Sequence, residues 1–360
     1  MDNKSSSRDS IRELLAEHSR KYPVIKAEDF FKLLYHGAFG CEHLVSSPRS
    51  ALEGILREYE RHEAVEYTAP EAINEKYCRV SLSVIGAGLS PKTLARLFYL
   101  SAREESDGVE ALSEGLSVLR LLAERGDVPI SPGELDEKIY KWQELGYPAL
   151  HHSDAFRNEY APSYRVIARR FAEFIPLFIK IDSLLDEKGR AIIAIDGGSA
   201  SGKTTLSRIL EEVYGCAVYH IDDFFLQPKQ RTRERYSELG GNFDRERFLD
   251  EVLLPLSRGE AVCYRPFDCS KMELGDIKTV EPNEISVVEG AYSMHPELMK
   301  YYGISVFLDI DENLQRKRIL KRNPTMAQQF FEKWIPLENR YFEGFKIPEK
   351  CSLIFKISEK

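Results

Sequence analysis

Through the first half of the chain, apolar positions recur mostly at helical spacing. Ile11, Leu14, Leu15 and His18 share one face behind Ser10-x-x-Glu13, which reads as a capping box. Leu52, Ile55, Leu56 and Tyr59 repeat the pattern behind Ser50-x-x-Glu53, and Ser131-Pro132-x-Glu134 adds proline at the first helical position. Cys78, Val80, Leu82 and Val84 alternate with Arg79, Ser81 and Ser83, so one extended segment interrupts the helices. A long apolar-rich helix is predicted over 163–185, and 186–190 is the turn that ends this half. Beyond it the pattern changes. Apolar runs at 191–195, 216–221, 285–288, 304–308 and 352–357 read as buried strands. Amphipathic helices separate them, one behind Asp244 with Phe248, Val252 and Leu253, another over 330–345 with Trp334 and Tyr341. Strands alternating with helices predict a parallel sheet flanked by helices, an α/β fold. The expected organisation is a mostly helical domain over 1–186 and an α/β domain over 187–360, with no internal repeat and no low-complexity tract.

The densest chemistry lies where the first of those strands meets its helix. Gly197-Gly198-Ser199-Ala200-Ser201-Gly202-Lys203-Thr204-Thr205 has the P-loop spacing, with a strand before it and Leu206, Ile209 and Leu210 on a helix after it. Glycines let the backbone N–H groups converge on a phosphate, and the helix directs its positive end at the same anion. Lys203 can reach terminal phosphates and the Thr204 hydroxyl can ligate Mg²⁺, so ATP with Mg²⁺ is the expected ligand. The next strand ends in Asp222-Asp223, and strand-end carboxylates of such a sheet project into the ligand crevice. One of them suits the task of accepting a hydroxyl proton during phosphoryl transfer. The basic stretch 227–243, with Lys229, Arg231, Arg233 and Arg235, reads as a loop, either a substrate-side flap or a solvated face. Arg265, Phe267 and Asp268 come to a turn after a short strand. Glu289 closes another buried strand, where a carboxylate holds Mg²⁺ or its water shell. Arg318 and Arg322 lie one turn apart on a helix and share a face that can clamp phosphates.

Composition narrows the partners. The 360 residues are 43% hydrophobic and 30% charged, with a formal charge of −8. That balance argues against broad binding to nucleic acid or to an anionic membrane surface. No run of eighteen apolar residues exists, and the polar opening is no secretory signal. Six scattered cysteines without a Cys-x-x-Cys pair fit reduced thiols in a cytoplasmic protein. The sequence leaves homo-oligomerisation open. Two N-terminal stretches remain, 35–43 with His36, Cys41 and His43, and 151–154 with His151 and His152, followed by Arg157, Tyr160, Tyr164 and Arg165. They read either as hydrogen-bonded polar residues of a helical domain or as a second metal or Cys/His site.

Gly197 to Thr205, Asp222-Asp-Phe-Phe225, Val287-Val-Glu-Gly290 and the Arg318/Arg322 helix together resemble the uridine kinase family, within a wider group that includes phosphoribulokinase and pantothenate kinase. The resemblance spans about residues 188–360. It implies Mg-ATP binding and phosphoryl transfer to a small-molecule hydroxyl. By the same resemblance Asp222 corresponds to the family's base and Asp223 to a serine position. Glu289 corresponds to the glutamate before glycine, and Arg318 and Arg322 to the lid arginines. Arg265, Phe267 and Asp268 correspond to a segment that reads the pyrimidine, although Met272 stands where that family has a histidine. The expected function is therefore a nucleoside kinase acting on uridine or cytidine. A kinase of a sugar, polyol or vitamin precursor is the alternative that Met272 keeps open, and a nucleotide-gated regulatory protein is a third.

Overall fold

The computed structural model describes residues 2–41, 45–61 and 66–359. The chain forms two compact units, Met1–Ile179 and Lys180–Lys360.

In the N-terminal unit, helices surround a small antiparallel sheet ordered β1 (Glu71–Ala72), β2 (Tyr77–Ser81) and β3 (Tyr164–Ala168). The alternation at 78–84 thus forms its strand, though only as far as Ser81. β3 departs from the helix expected over 163–185. Its residues Tyr164, Val166 and Ile167 favour extended backbone, and β2 supplies the ladder from more than eighty residues earlier. The helix follows only at Ile175–Lys188. Helix starts also differ from two expectations. Ser10 lies inside the helix Asp2–Lys21, and Ser47, not Ser50, caps Pro48–Tyr59 by accepting from Ser50 N. At Pro132–Glu144 the Ser131 hydroxyl accepts from Glu134 N at 3.3 Å, as the Ser-Pro signature requires.

The C-terminal unit is built on five parallel strands, β4 (Ala191–Gly197), β5 (Ala217–His220), β10 (Ile285–Glu289), β11 (Ile304–Ile310) and β12 (Leu353–Ile357), in the order β12-β11-β4-β10-β5. Short antiparallel pairs lie between them in sequence, β6 (Val262–Tyr264) with β9 (Lys278–Val280) and β7 (Phe267–Asp268) with β8 (Glu273–Leu274). β4 and β10 are apolar and buried because helices cover both faces of a parallel sheet. Around them pack Phe224, Phe243, Phe248 and Tyr341. Each such aromatic removed from water contributes about 1.5–3 kcal/mol. The helix expected over 330–345 is divided by a π-helical turn, Phe330–Trp334, before Ile335–Phe345. Register decides what meets at the strand ends: Glu289 lies level with Ile195 on one side and with His220 on the other.

Candidate active site

At the end of β4 the chain turns through the phosphate loop into the helix Lys203–Tyr214. Gly197 holds φ 146°, and a Cβ there would lie 2.6 Å from the Leu308 carbonyl oxygen of the adjoining strand. Only glycine fits that close approach. Ala200 adopts φ 61° and Gly202 φ 106°, which coils the loop. The Lys203 ammonium folds over it and donates to Gly197 O at 2.7 Å and Gly198 O at 2.9 Å.

Side chains from two other helices hold the loop. Glu338, buried on the helix Ile335–Phe345, accepts from Ser199 N at 2.8 Å and Ser199 Oγ at 2.6 Å. Gln315 donates to Ser199 O at 2.8 Å, and Arg318 donates to Ala200 O at 3.1 Å, both from the helix Glu312–Arg322. Beneath the loop, Asp196 is fully buried and accepts from Gly197 N, Met294 N and Tyr341 Oη at 2.7–2.9 Å. Burial outweighs those three donors and raises its pKa to about 6.

An acidic floor faces the loop. Thr204 Oγ1 donates to Glu289 Oε1 at 3.1 Å, and His220 Nδ1 lies 2.7 Å from the same oxygen. The pair is mutually stabilising: the Glu289 carboxylate raises the pKa of His220, and His220 helps hold Glu289 below its ordinary value against the opposing effect of burial. Asp222 follows β5 in a short 3₁₀ turn, Ile221–Phe224. Its side chain is exposed, yet nearby protein still partly desolvates the carboxylate. That desolvation raises its pKa, and the nearby Lys203 charge opposes the shift.

Lys203, Thr204, Asp222 and Glu289 are therefore brought together, and Arg318 joins them at the loop. The other predicted site residues divide between exposed positions and contacts with their own neighbours. Arg322 is exposed at the far end of its helix, and Thr205 is exposed on the first turn after the loop. Asp223 accepts from Tyr264 Oη at 3.0 Å and from Lys278 Nζ at 3.2 Å. Arg265 donates to the carbonyls of Gly275 and Leu274, and Asp268 accepts from Ser270 N and Oγ within its own turn. Phe267 is buried beneath Arg231, whose guanidinium lies 5.6 Å from its ring centre. Met272 occupies the turn of this hairpin with φ 59°. In the basic stretch, Arg235 makes a bidentate pair with Glu246 at 2.7 Å and bonds the carbonyls of Gly241 and Phe243, so this cation ties the segment down. The sequence reading missed His220, Gln315 and Glu338. His220, two residues before Asp222, was visible as a site residue only on the assumption that its strand lies beside that of Glu289.

The N-terminal candidates divide similarly. Cys41 is buried, its Sγ 3.7 Å from the Phe98 carbonyl oxygen, and burial pushes the thiol up to about 12. That environment removes it as a nucleophile at neutral pH. His43 and His62 lie outside the described residues. Among the described residues no cluster of three His, Cys, Asp or Glu side chains is arranged to hold a metal, and no helix is long and apolar enough to cross a membrane.

Residues 192–327 match the model of the Phosphoribulokinase / Uridine kinase family. A uridine kinase of Chloroflexus aurantiacus is 31% identical over 142 residues, covering 37% of this chain and 67% of that protein. A uridine kinase of Ligilactobacillus salivarius is 25% identical over 145 residues, covering 38% and 68%. Among solved structures, one titled as a possible uridine kinase from Bacillus stearothermophilus is 21% identical with a TM-score of 0.37, covering 50% of this chain and 99% of that one. Through its C-terminal unit, the chain belongs to the phosphoribulokinase/uridine kinase family.

Proposed function

We propose that the C-terminal unit transfers the γ-phosphoryl group of ATP to a hydroxyl of a small metabolite, with uridine or cytidine as the acceptor. The observation that carries this reading is Asp222, an exposed carboxylate just past the end of β5 and within the field of Lys203. A protein that only senses a nucleotide has no need of a base there. In the proposed reaction the acceptor oxygen attacks the γ-phosphorus, its proton passes to Asp222, and the bond to the ADP oxygen breaks. Lys203 exchanges its two loop carbonyls for phosphate oxygens, and the backbone N–H groups of Gly202, Lys203 and Thr204, where the helix begins, cradle the phosphates. Arg318, already at Ala200, neutralises charge on the transferring group.

Thr204 Oγ1 and the Glu289 carboxylate are hard oxygen donors in contact, which suits Mg²⁺, a cation that takes one or two protein ligands and completes its shell with phosphate and water. When bound, Mg²⁺ neutralises phosphate charge. His220 keeps the Glu289 carboxylate ionised and oriented for that task.

A second acceptor class, a sugar, polyol or vitamin precursor, draws support from the β7–β8 hairpin. Arg265 and Asp268 spend their polar atoms inside that hairpin, and Met272 takes its turn. ADP release measured against a panel of nucleosides, sugars, polyols and vitamin precursors, with Lys203→Ala as blank, decides between the classes. Stimulation confined to uridine and cytidine supports the nucleoside reading; stimulation by another alcohol alone replaces it.

A further inference from the structure

The N-terminal unit contains a cavity of about 570 Å³ that plays no part in the proposed phosphoryl transfer. Its volume lies in the range of small-molecule sites. The fold brings to it two stretches that stood apart in sequence. Lys32 and His36 come from the helix Ala27–Phe39, His152 precedes the helix Asp154–Tyr160, and Tyr164 and Arg165 come from β3.

Three of the groups here form a chain. Four donors fix the Asp29 carboxylate: Lys26 N at 2.9 Å, Ser153 N at 3.0 Å, Ser153 Oγ at 2.7 Å and His152 Nδ1 at 2.8 Å. A carboxylate at Nδ1 places the proton there and leaves Nε2 as an acceptor. Tyr164 Oη lies 2.7 Å from Nε2 and donates to it. Burial lowers the His152 pKa, in keeping with a neutral ring. The Tyr164 proton is thereby committed, and its oxygen lone pairs remain to accept.

The cations around the cavity are only partly paired. Arg165 is paired with Glu58 at 2.8 Å, and Arg157 with Asp154. Two further cations are not matched in this way. Arg79 is buried with its guanidinium 4.8 Å from the Tyr164 ring centre. Among the described residues, its Nε and Nη2 have no hydrogen-bond partner. Its carboxylate neighbour Glu71, at 3.7 Å, also accepts from Lys21 and Tyr22. Lys32 donates to the Leu150 carbonyl at 2.7 Å and has no ion pair among the described residues. Burial, then the charge of Arg79, brings its pKa down to about 8 against the opposing charge of Asp29. Cations crowded in this way beside an open cavity are relieved by an anion.

We propose that this cavity is a second ligand site, which takes a small molecule bearing a phosphate or carboxylate group. Lys32 holds the anion in the field of Arg79, and a hydroxyl or ammonium of the same ligand donates to the Tyr164 oxygen.

The test uses the full chain labelled with ¹³C at histidine Cε1, titrated separately with inorganic phosphate and with acetate while the histidine resonances are followed. His152→Gln identifies the His152 signal, and His220 reports independently on the phosphate loop. Saturable shifts of His152 and His36 that persist in Lys203→Ala and weaken at least tenfold in Lys32→Gln are expected. Phosphate acting alone, acetate acting alone, or both, support the site and name its anion. Arg79→Met, which retains the volume of a buried side chain, is expected to weaken the response as well; should that variant fail to fold, Lys32→Gln reads the same charge. Absence of any His152 or His36 shift, a shift unchanged in Lys32→Gln, or one abolished by Lys203→Ala overturns the proposal.

Discussion

Asp222 combines two properties that a proton acceptor needs, contact with solvent and a raised pKa. Asp222→Asn keeps the shape and removes the base. It should lower kcat by about 10²–10⁴-fold, the usual contribution of general base catalysis, while leaving ATP affinity nearly unchanged. Pre-steady-state turnover and equilibrium ATP binding, measured on the same preparation, separate the two effects. The pH dependence follows from the direction of the shift. A base works ionised, so kcat/KM should fall as pH drops through its raised pKa, and the acid limb should lie above the ordinary carboxylate range. An acid limb at or below that range would exclude Asp222 as the base. Lys203 differs in kind, since its charge meets phosphate and not the acceptor. Its replacement by alanine should reduce both ATP affinity and turnover.

The phosphate loop depends on a helix that sequence alone does not connect to it. Glu338, from Ile335–Phe345, holds both the N–H and the hydroxyl of Ser199. Glu338→Gln preserves volume but sets a donor against one of those donors. KM for ATP should rise several-fold with a smaller change in kcat, checked by steady-state kinetics with the acceptor saturating; an unchanged KM would show that the loop keeps its form unaided. This contact also marks the boundary of what the sequence reveals. The loop itself was legible because glycine spacing, a strand and a helix adjoin in sequence. Glu338 was not, because one glutamate on an amphipathic helix gives no sign of a partner 139 residues away. His220 beside Glu289 depends on strand order, which a list of strands leaves undetermined. β3 is hidden for a related reason: only Arg169 and Arg170, with no glycine or proline, separate Val166, Ile167 and Ala168 from the apolar stretch that follows, and a short buried strand has no periodicity of its own.

Across the chain, the α/β organisation of the C-terminal unit and the largely helical character of the N-terminal unit were both readable from hydrophobic spacing, whereas the meeting of His36 with His152 at one cavity required the fold. The six thiols give a check on burial throughout both units. Cys41 is buried, while Cys263 and Cys269 are exposed. Iodoacetamide at pH 8 should label Cys263 and Cys269 in the native chain and reach Cys41 only after unfolding in urea, as read by peptide mass. Native labelling of Cys41 would contradict the packing around the helix Ala27–Phe39. The central claim concerns phosphoryl transfer, and the most direct measurement is movement of ³²P from γ-labelled ATP to uridine by the full chain, with Lys203→Ala and Asp222→Asn alongside. Labelled uridine monophosphate with the parent chain, and at least a hundredfold less with either variant, is the predicted result. ATP binding without transfer to uridine or cytidine, or transfer undiminished in Asp222→Asn, would contradict it.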